Sequence, residues 1–248
     1  MPPVYMDLRM PGAHSWFRSS PWKESPRELN EQRIIQRVVR PGDVAFDIGA
    51  NLGLHMALLS RCVGTKGRVH AFEPNPALAR LLELTAGGAG NCIVHTAALS
   101  DVETEAALFV PDDHSMASLA DWTNGKRGRR RQITCEQVKL DRLIAQGLEL
   151  PDFVKCDVEG AELKVFKGSK QTLDRPHAPI VLFEAGENTS RGFGLDKWAA
   201  LDFLAALEKP RFQFFEVGSE GGIEPVNRRT PRNANVLAVP QQRQTRLE

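Results

Sequence analysis

Two stretches of the chain combine carboxylates and glycines at spacings that suit chemistry. The first is Val44-Ala45-Phe46-Asp47-Ile48-Gly49-Ala50-Asn51-Leu52-Gly53. An apolar run ends in an acid, two glycines and an asparagine, and a helical stretch from Leu54 to Leu59 follows. The second is Phe153-Val154-Lys155-Cys156-Asp157-Val158-Glu159-Gly160-Ala161-Glu162, where a short strand ends in two acids flanking Val158. Placing two carboxylates side by side is costly unless they hold a cation or a proton. Asp157 and Glu159 are therefore candidates for binding a cationic ligand or accepting a proton. An ion pair with Lys155 or Lys164 is the competing, purely structural explanation. Glu184, at the end of another apolar run, and His114, on a polar segment, are the next candidates for proton transfer.

The glycine turn narrows the ligand. Gly49 and Gly53, on either side of Asn51, keep side chains out of the turn so that the backbone can come close to a bound group, and the free N–H groups of the following helix would face an anion. The dinucleotide fingerprint needs glycine at the first, third and sixth places, but from Gly49 those places hold Gly49, Asn51 and Leu54. A phosphate loop would need Gly-Lys-Ser/Thr, and Leu54-His55 follows Gly53 instead. A ligand without pyrophosphate fits better. S-adenosylmethionine (SAM) is one: Asp47 would attract its ammonium and the helix start its carboxylate. Glu73 lies twenty residues past Gly53 at a strand end, where a carboxylate can accept hydrogen bonds from both hydroxyls of a ribose. Ala98-Leu99-Ser100-Asp101 follows a third strand, and there Ala98 and Leu99 would line an adenine slot.

These residues need a sheet to bring them together. Strand patterns at 44–48, 68–72, 92–97, 153–156 and 179–183 alternate with helical ones at 28–39, 77–84 and 196–207. That alternation indicates an α/β fold with a mostly parallel sheet covered on both faces. Leu29, Ile34, Ile35 and Val38 mark the inward side of the first helix, and Gly87-Gly88 is expected to end the helix beginning near Ala77. Strands at 212–217 and 235–239 enclose a polar loop. Residues 106–110 and 133–140 form two further extended runs, separated by a polar segment that carries Lys126-Arg127-Gly128-Arg129-Arg130-Arg131. That basic run reads as a solvated loop or as a contact for an anionic acceptor, such as an acidic or phosphorylated sugar. Residues 1–27 are an N-terminal arm or lid, 28–240 one domain, and 241–248 a polar, frayed tail.

Composition bounds the rest. The 248 residues are 42% hydrophobic and 25% charged, an ordinary soluble balance. The net charge of +1 gives no steering toward nucleic acid or an anionic membrane. No apolar run approaches the ~20 residues of a membrane helix. The cysteines Cys62, Cys92, Cys135 and Cys156 form no Cys-x-x-Cys pair, as expected of reduced thiols in a cytoplasmic protein. No metal site is expected.

Taken together, the stations resemble the FkbM-type family of SAM-dependent methyltransferases. The resemblance rests on Phe46–Gly53, Val69-His70-Ala71-Phe72-Glu73-Pro74-Asn75, Ala98–Asp101, Val138-Lys139-Leu140-Asp141 and Val154–Glu162, and runs from about Glu28 to Glu184. Cys156 stands where the family commonly has isoleucine, and His55 departs from it as a local substrate feature. The resemblance implies a Rossmann-like class I methyltransferase with a seven-stranded sheet whose last strand is antiparallel. It implies SAM as cofactor and methyl transfer, often to a hydroxyl of a sugar or natural product. Three rivals stand beside that expectation: a SAM-binding module without catalysis, a nicotinamide-linked oxidoreductase and an RNA methyltransferase. The acceptor and the oligomeric state are left open.

Overall fold

A computed structural model describes residues 4–5, 26–111, 117–120, 130–229 and 233–248. The apolar runs around the two acidic stretches form the middle of the main sheet. Strands β1 (Val44–Ile48), β2 (Arg68–Phe72) and β3 (Cys92–His95) lie to one side. Strands β7 (Phe153–Cys156) and β8 (Ile180–Ala185) lie to the other. With β9 (Gln213–Val217), β10 (Ile223–Pro225) and β11 (Ala234–Val239), the order is β10-β9-β11-β8-β7-β1-β2-β3. From β3 across to β8 all pairings are parallel, whereas β11 runs antiparallel to both of its neighbours. Strand order reverses between β1 and β7, and open α/β sheets bind ligands at such a switch point.

The sheet has eight strands rather than the expected seven. The extra one, β10, lies in the stretch read as a polar loop. Gly218 and Gly222 close a tight turn there, and β10 folds back antiparallel on β9 at the sheet edge. A second sheet, β4-β6-β5, is built from β4 (Ala98–Leu99), β5 (Thr104–Pro111) and β6 (Arg130–Val138). It inserts between β3 and β7 and has its own small core of Ala98, Leu108, Val110 and Cys135.

Strand alternation sends successive side chains to opposite faces. Phe46, Ile48, Val154, Cys156, Val181 and Phe183 join one core. Ala45, Phe153, Leu182 and Leu237 join the other, beneath helices α1 (Pro26–Val38) and α2 (Leu54–Val63). Ile34, Ile35 and Val38 of α1 are fully buried, but Leu29 faces solvent. Helix α3 (Pro76–Ala89) runs straight through Gly87-Gly88 and stops at Gly90, whose φ is 77°. Asn75 caps its start by accepting the Ala77 N–H, and Leu78, Leu82 and Ala86 bury one side. That burial outweighs the cost of about 1 kcal/mol for a glycine inside a helix.

The tail is not frayed. Residues Gln241–Leu247 form a 3-10 turn that docks on the bottom of the sheet. Arg243 donates to Asp152 and to the Ala178 carbonyl, and Arg246 to Asp43 and the Val38 carbonyl. All four cysteines are free thiols. Among the described residues no helix is long and apolar enough to cross a membrane.

Candidate active site

The ladder of the central strands continues past their carboxyl ends. Gly49 donates to the Phe72 carbonyl, Asp157 to that of Ile48 and Glu73 to that of His95. Since Asp47 pairs with Lys155 and Ala71, and Lys155 with Leu182, the row two residues further on reads Glu73, Gly49, Asp157, Glu184. Three acids thus stand on one face, with a glycine in the gap. A Cβ at Gly49 would lie 2.0 Å from the Asp157 carbonyl oxygen, and its φ is 82°. Only glycine lets β1 and β7 close together there.

Above this row opens a crevice, and its lining mixes acidic, small and apolar residues as a small-ligand site does. Glu73, Gly49 and Asn51 line one end, Asp157 and Glu159 the other, and Ala98, Leu99 and Phe72 give an apolar wall. Of the expected cofactor residues, Gly49, Asn51, Glu73, Ala98, Leu99 and Asp157 are therefore brought together. Two are not. Gly53 lies outside the lining; its φ of 83° favours glycine, and a Cβ there would lie 2.6 Å from the end of the Leu82 side chain. Asp47 is fully buried below the cavity floor, where its nearest cation is Lys155 at 3.9 Å.

Glu73 is held rigidly. One of its oxygens accepts the Asn51 N–H at 2.9 Å and the other the Asn75 N–H at 2.9 Å. Each carboxylate oxygen keeps a further lone pair for a ligand hydroxyl. Burial raises its pKa to about 7, against the pull of the two N–H donors.

Asp157, Glu159 and Glu184 offer one carboxylate oxygen each within 4.8 Å of one another. Like charges so close cannot all ionise without help. The pKa of Glu159 rises to about 9, first through burial and then through Asp157, Glu184 and Glu162. Such a trio can share a proton, neutralise a ligand cation, or supply the hard oxygen donors of a divalent metal. Glu159 has φ 52°, a conformation that costs free energy in a non-glycine residue and persists only where its surroundings enforce it. The enforcers are clear. Glu162 accepts the Val158 and Gly160 N–H groups from below. Ser118 donates its hydroxyl to the Glu159 carbonyl at 2.9 Å from above.

Sequence reasoning missed Ser118, because nothing in a polar segment sets that serine apart. Glu162 had a signal: an acid three residues past Glu159 at a helix start suits capping of the turn. Lys155 does pair with Asp157, at 3.3 Å, while Lys164 instead sits over the Phe193 ring. His55 lies outside the cavity lining, 3.3 Å from Glu31 of α1. His114 and residues 126–129 of the basic run lie outside the described residues.

The family model of the methyltransferase FkbM domain matches residues 47–215. The chain belongs to this family. A hexuronic acid methyltransferase of Haloferax volcanii, AglP, is 32% identical over 156 residues, covering 62% of this chain and 61% of the relative. The match thus spans less than two thirds of that protein. A crystal structure from Clostridium thermocellum, described as an rRNA methylase, superimposes with TM-score 0.50 at 11% identity. It covers 85% of this chain and 95% of the other. That likeness concerns the fold alone.

Proposed function

We propose that the protein transfers the methyl group of SAM to a hydroxyl of a sugar or small natural product, with an acidic sugar as the favoured acceptor. The observation that carries this reading is the cavity at the β1/β7 switch point, with a carboxylate at each end, in a chain of the FkbM family. Glu73 takes the ribose hydroxyls, Ala98 and Leu99 the adenine, and Gly49 and Asn51 the bend between base and methionine. The sugar-acid relative supports the acceptor class. The net charge of +1 favours no polyanion such as RNA. Free thiols at all four cysteines suit a reducing, cytoplasmic setting.

In the transfer, a lone pair of the acceptor oxygen forms the new bond to the methyl carbon while the carbon–sulfur bond breaks toward sulfur. The sulfonium becomes a neutral thioether, and the hydroxyl proton passes to a carboxylate. Alignment of acceptor and methyl supplies much of the acceleration. Glu159 is assigned the proton, with Glu184 and Asp157 beside it to raise its affinity for one. The sulfonium charge lowers that affinity while the cofactor is intact, and its loss on transfer restores it. The base therefore strengthens as the proton must be taken up.

The test is a panel of uronic acids and their neutral counterparts incubated with SAM, read by mass gain of one methyl and by S-adenosylhomocysteine (SAH) release. Methylation of the acidic sugars is expected. SAM binding with no methylated product from any acceptor would make the chain a binding module instead. Glu159→Gln should slow transfer at saturating SAM by about 10²-fold or more; a full-rate variant removes that assignment.

A further inference from the structure

The crevice wall formed by Ala98 and Leu99 belongs to a strand of two residues, β4, held by the pairing of Ala98 with Gln137 and of Leu99 with Val138. A wall so short needs support from outside its own ladder. The helix that follows the acidic loop supplies it. This helix, Glu162–Gly168, packs Val165 and Phe166 into the core that holds Leu99 and Val138, and its last residue meets the backbone just after β4. A Cβ at Gly168 would lie 1.9 Å from the Ser100 carbonyl oxygen and 2.7 Å from its carbon. Ser100 is fully buried, and its N–H donates to the Val138 carbonyl at 2.9 Å. The φ of Gly168 is not positive, so backbone conformation does not ask for glycine there. The close approach does, at a helical position where alanine is otherwise the better residue.

We propose that Gly168 is a positioning residue for the cofactor: by admitting the Ser100 backbone against the end of the helix, it sets where Ala98 and Leu99 stand and so shapes the slot that takes the adenine. The inference rests on the SAM reading of this crevice. Ordinary contact begins near 3.4 Å, so a methyl group 1.9 Å from that oxygen would force the helix and the strand about 1.5 Å apart. The helix is pinned. At its start Glu162 accepts the Val158 and Gly160 N–H groups. Phe166 packs edge-on against Phe183 of β8, with ring centroids 5.3 Å apart. The next turn is tied down where Asp141 accepts the Gln171 and Thr172 N–H groups, both at 2.8 Å. β4 has only its two residue pairs, so the strand gives way and the adenine wall moves with it. Glu73, at the ribose, hangs on the Asn51 and Asn75 N–H groups instead and takes no part in this contact.

The test is titration calorimetry of the wild type and Gly168→Ala with two ligands, SAH and methylthioadenosine, which keeps the adenine and ribose but lacks the amino acid end. Gly168→Ala should bind both about tenfold more weakly, the scale of overfilling a packed site, with unchanged stoichiometry. Wild-type affinity in the folded variant, whatever its melting temperature, gives Gly168 a structural role only and overturns the proposal while leaving the SAM reading in place. So does a loss that spares methylthioadenosine, because it lies at the amino acid end. If Gly168→Ala does not fold, hydrogen exchange of the wild type decides. SAH should then slow exchange at residues 166–169 together with 98–101, and protection confined to 98–101 overturns the proposal. Wild-type protein that binds neither ligand overturns the proposal and the SAM reading together.

Discussion

Glu73 concentrates the residue-scale argument, because one carboxylate does two tasks. It orders the glycine turn by accepting the Asn51 and Asn75 N–H groups, and in the proposed reading its remaining lone pairs take the ribose hydroxyls. Glutamine cannot replace it. An amide has one acceptor oxygen, so its NH2 would confront one of the two backbone donors. Hydrogen bonds to a charged group contribute about 1.5–3 kcal/mol, so Glu73→Gln should weaken SAM binding by roughly 10- to 100-fold. Titration of the folded variant checks this, and wild-type affinity would show that Glu73 only shapes the turn. The same residue shows how far sequence reading reaches. The position of Glu73 after an apolar strand was enough to place it in the crevice lining, since strand ends in such sheets face the ligand. Asp47 misled for the same reason. It also sits near a strand end, but one register row lower, beneath Gly49, and that single step buries it. Sequence spacing does not distinguish the last row inside a sheet from the first row outside it.

At the scale of elements, the βαβ units were legible because each strand is a short apolar run bounded by turn residues. The side sheet was harder to read. Its strands appeared as two extended runs, but nothing local said that β5 and β6 pair with each other, or that Ser118 returns to hold the Glu159 carbonyl. Helix α3 overran its glycines because packing of Leu82 and Ala86 is a tertiary effect that propensity does not register. The tail is a similar case. Gln241–Leu247 is polar apart from its last residue, and it docks through Arg243 and Arg246 together with Leu247, which packs on the core beneath α1 and α2. Asp43 is 6% exposed and receives both Arg246 and the Arg40 N–H. Arg246→Met would leave that carboxylate short of its cation. Breaking a half-buried pair of this kind should cost about 2 kcal/mol, or roughly 4–8 °C in a domain of this size. Thermal unfolding followed by circular dichroism measures it. A shift within about 1 °C would mean that solvent screens the pair and that the tail adds little to the fold.

For the whole molecule, the main feature is an excess of acid gathered at one end of the sheet and held partly protonated. Burial first, and neighbouring acids second, raise Glu159 to about 9 and Glu162 to about 8, while burial raises Glu73 to about 7. Each binds its proton more tightly folded than unfolded. The stability each contributes is therefore complete below the ordinary glutamate value of 4.5 and is lost as pH rises through 7 to 9. The unliganded protein should become less stable from about pH 6 to about pH 9. A ligand that carries positive charge into the crevice offsets that loss, because ionised carboxylates bind it better. SAM bears a sulfonium and SAH does not, while the two are otherwise alike. Differential scanning fluorimetry with saturating SAM or SAH across this pH range should show a larger stabilisation by SAM, with a margin that widens as pH rises. The sign is what matters: desolvated acids retain protons in the empty crevice and release them to solvent when the sulfonium binds, so proton loss and cofactor binding are linked. Equal shifts at every pH, or a margin that narrows toward alkaline pH, would mean that the sulfonium lies away from the Asp157, Glu159 and Glu184 carboxylates. The proton acceptor for the hydroxyl would then have to be sought outside this trio.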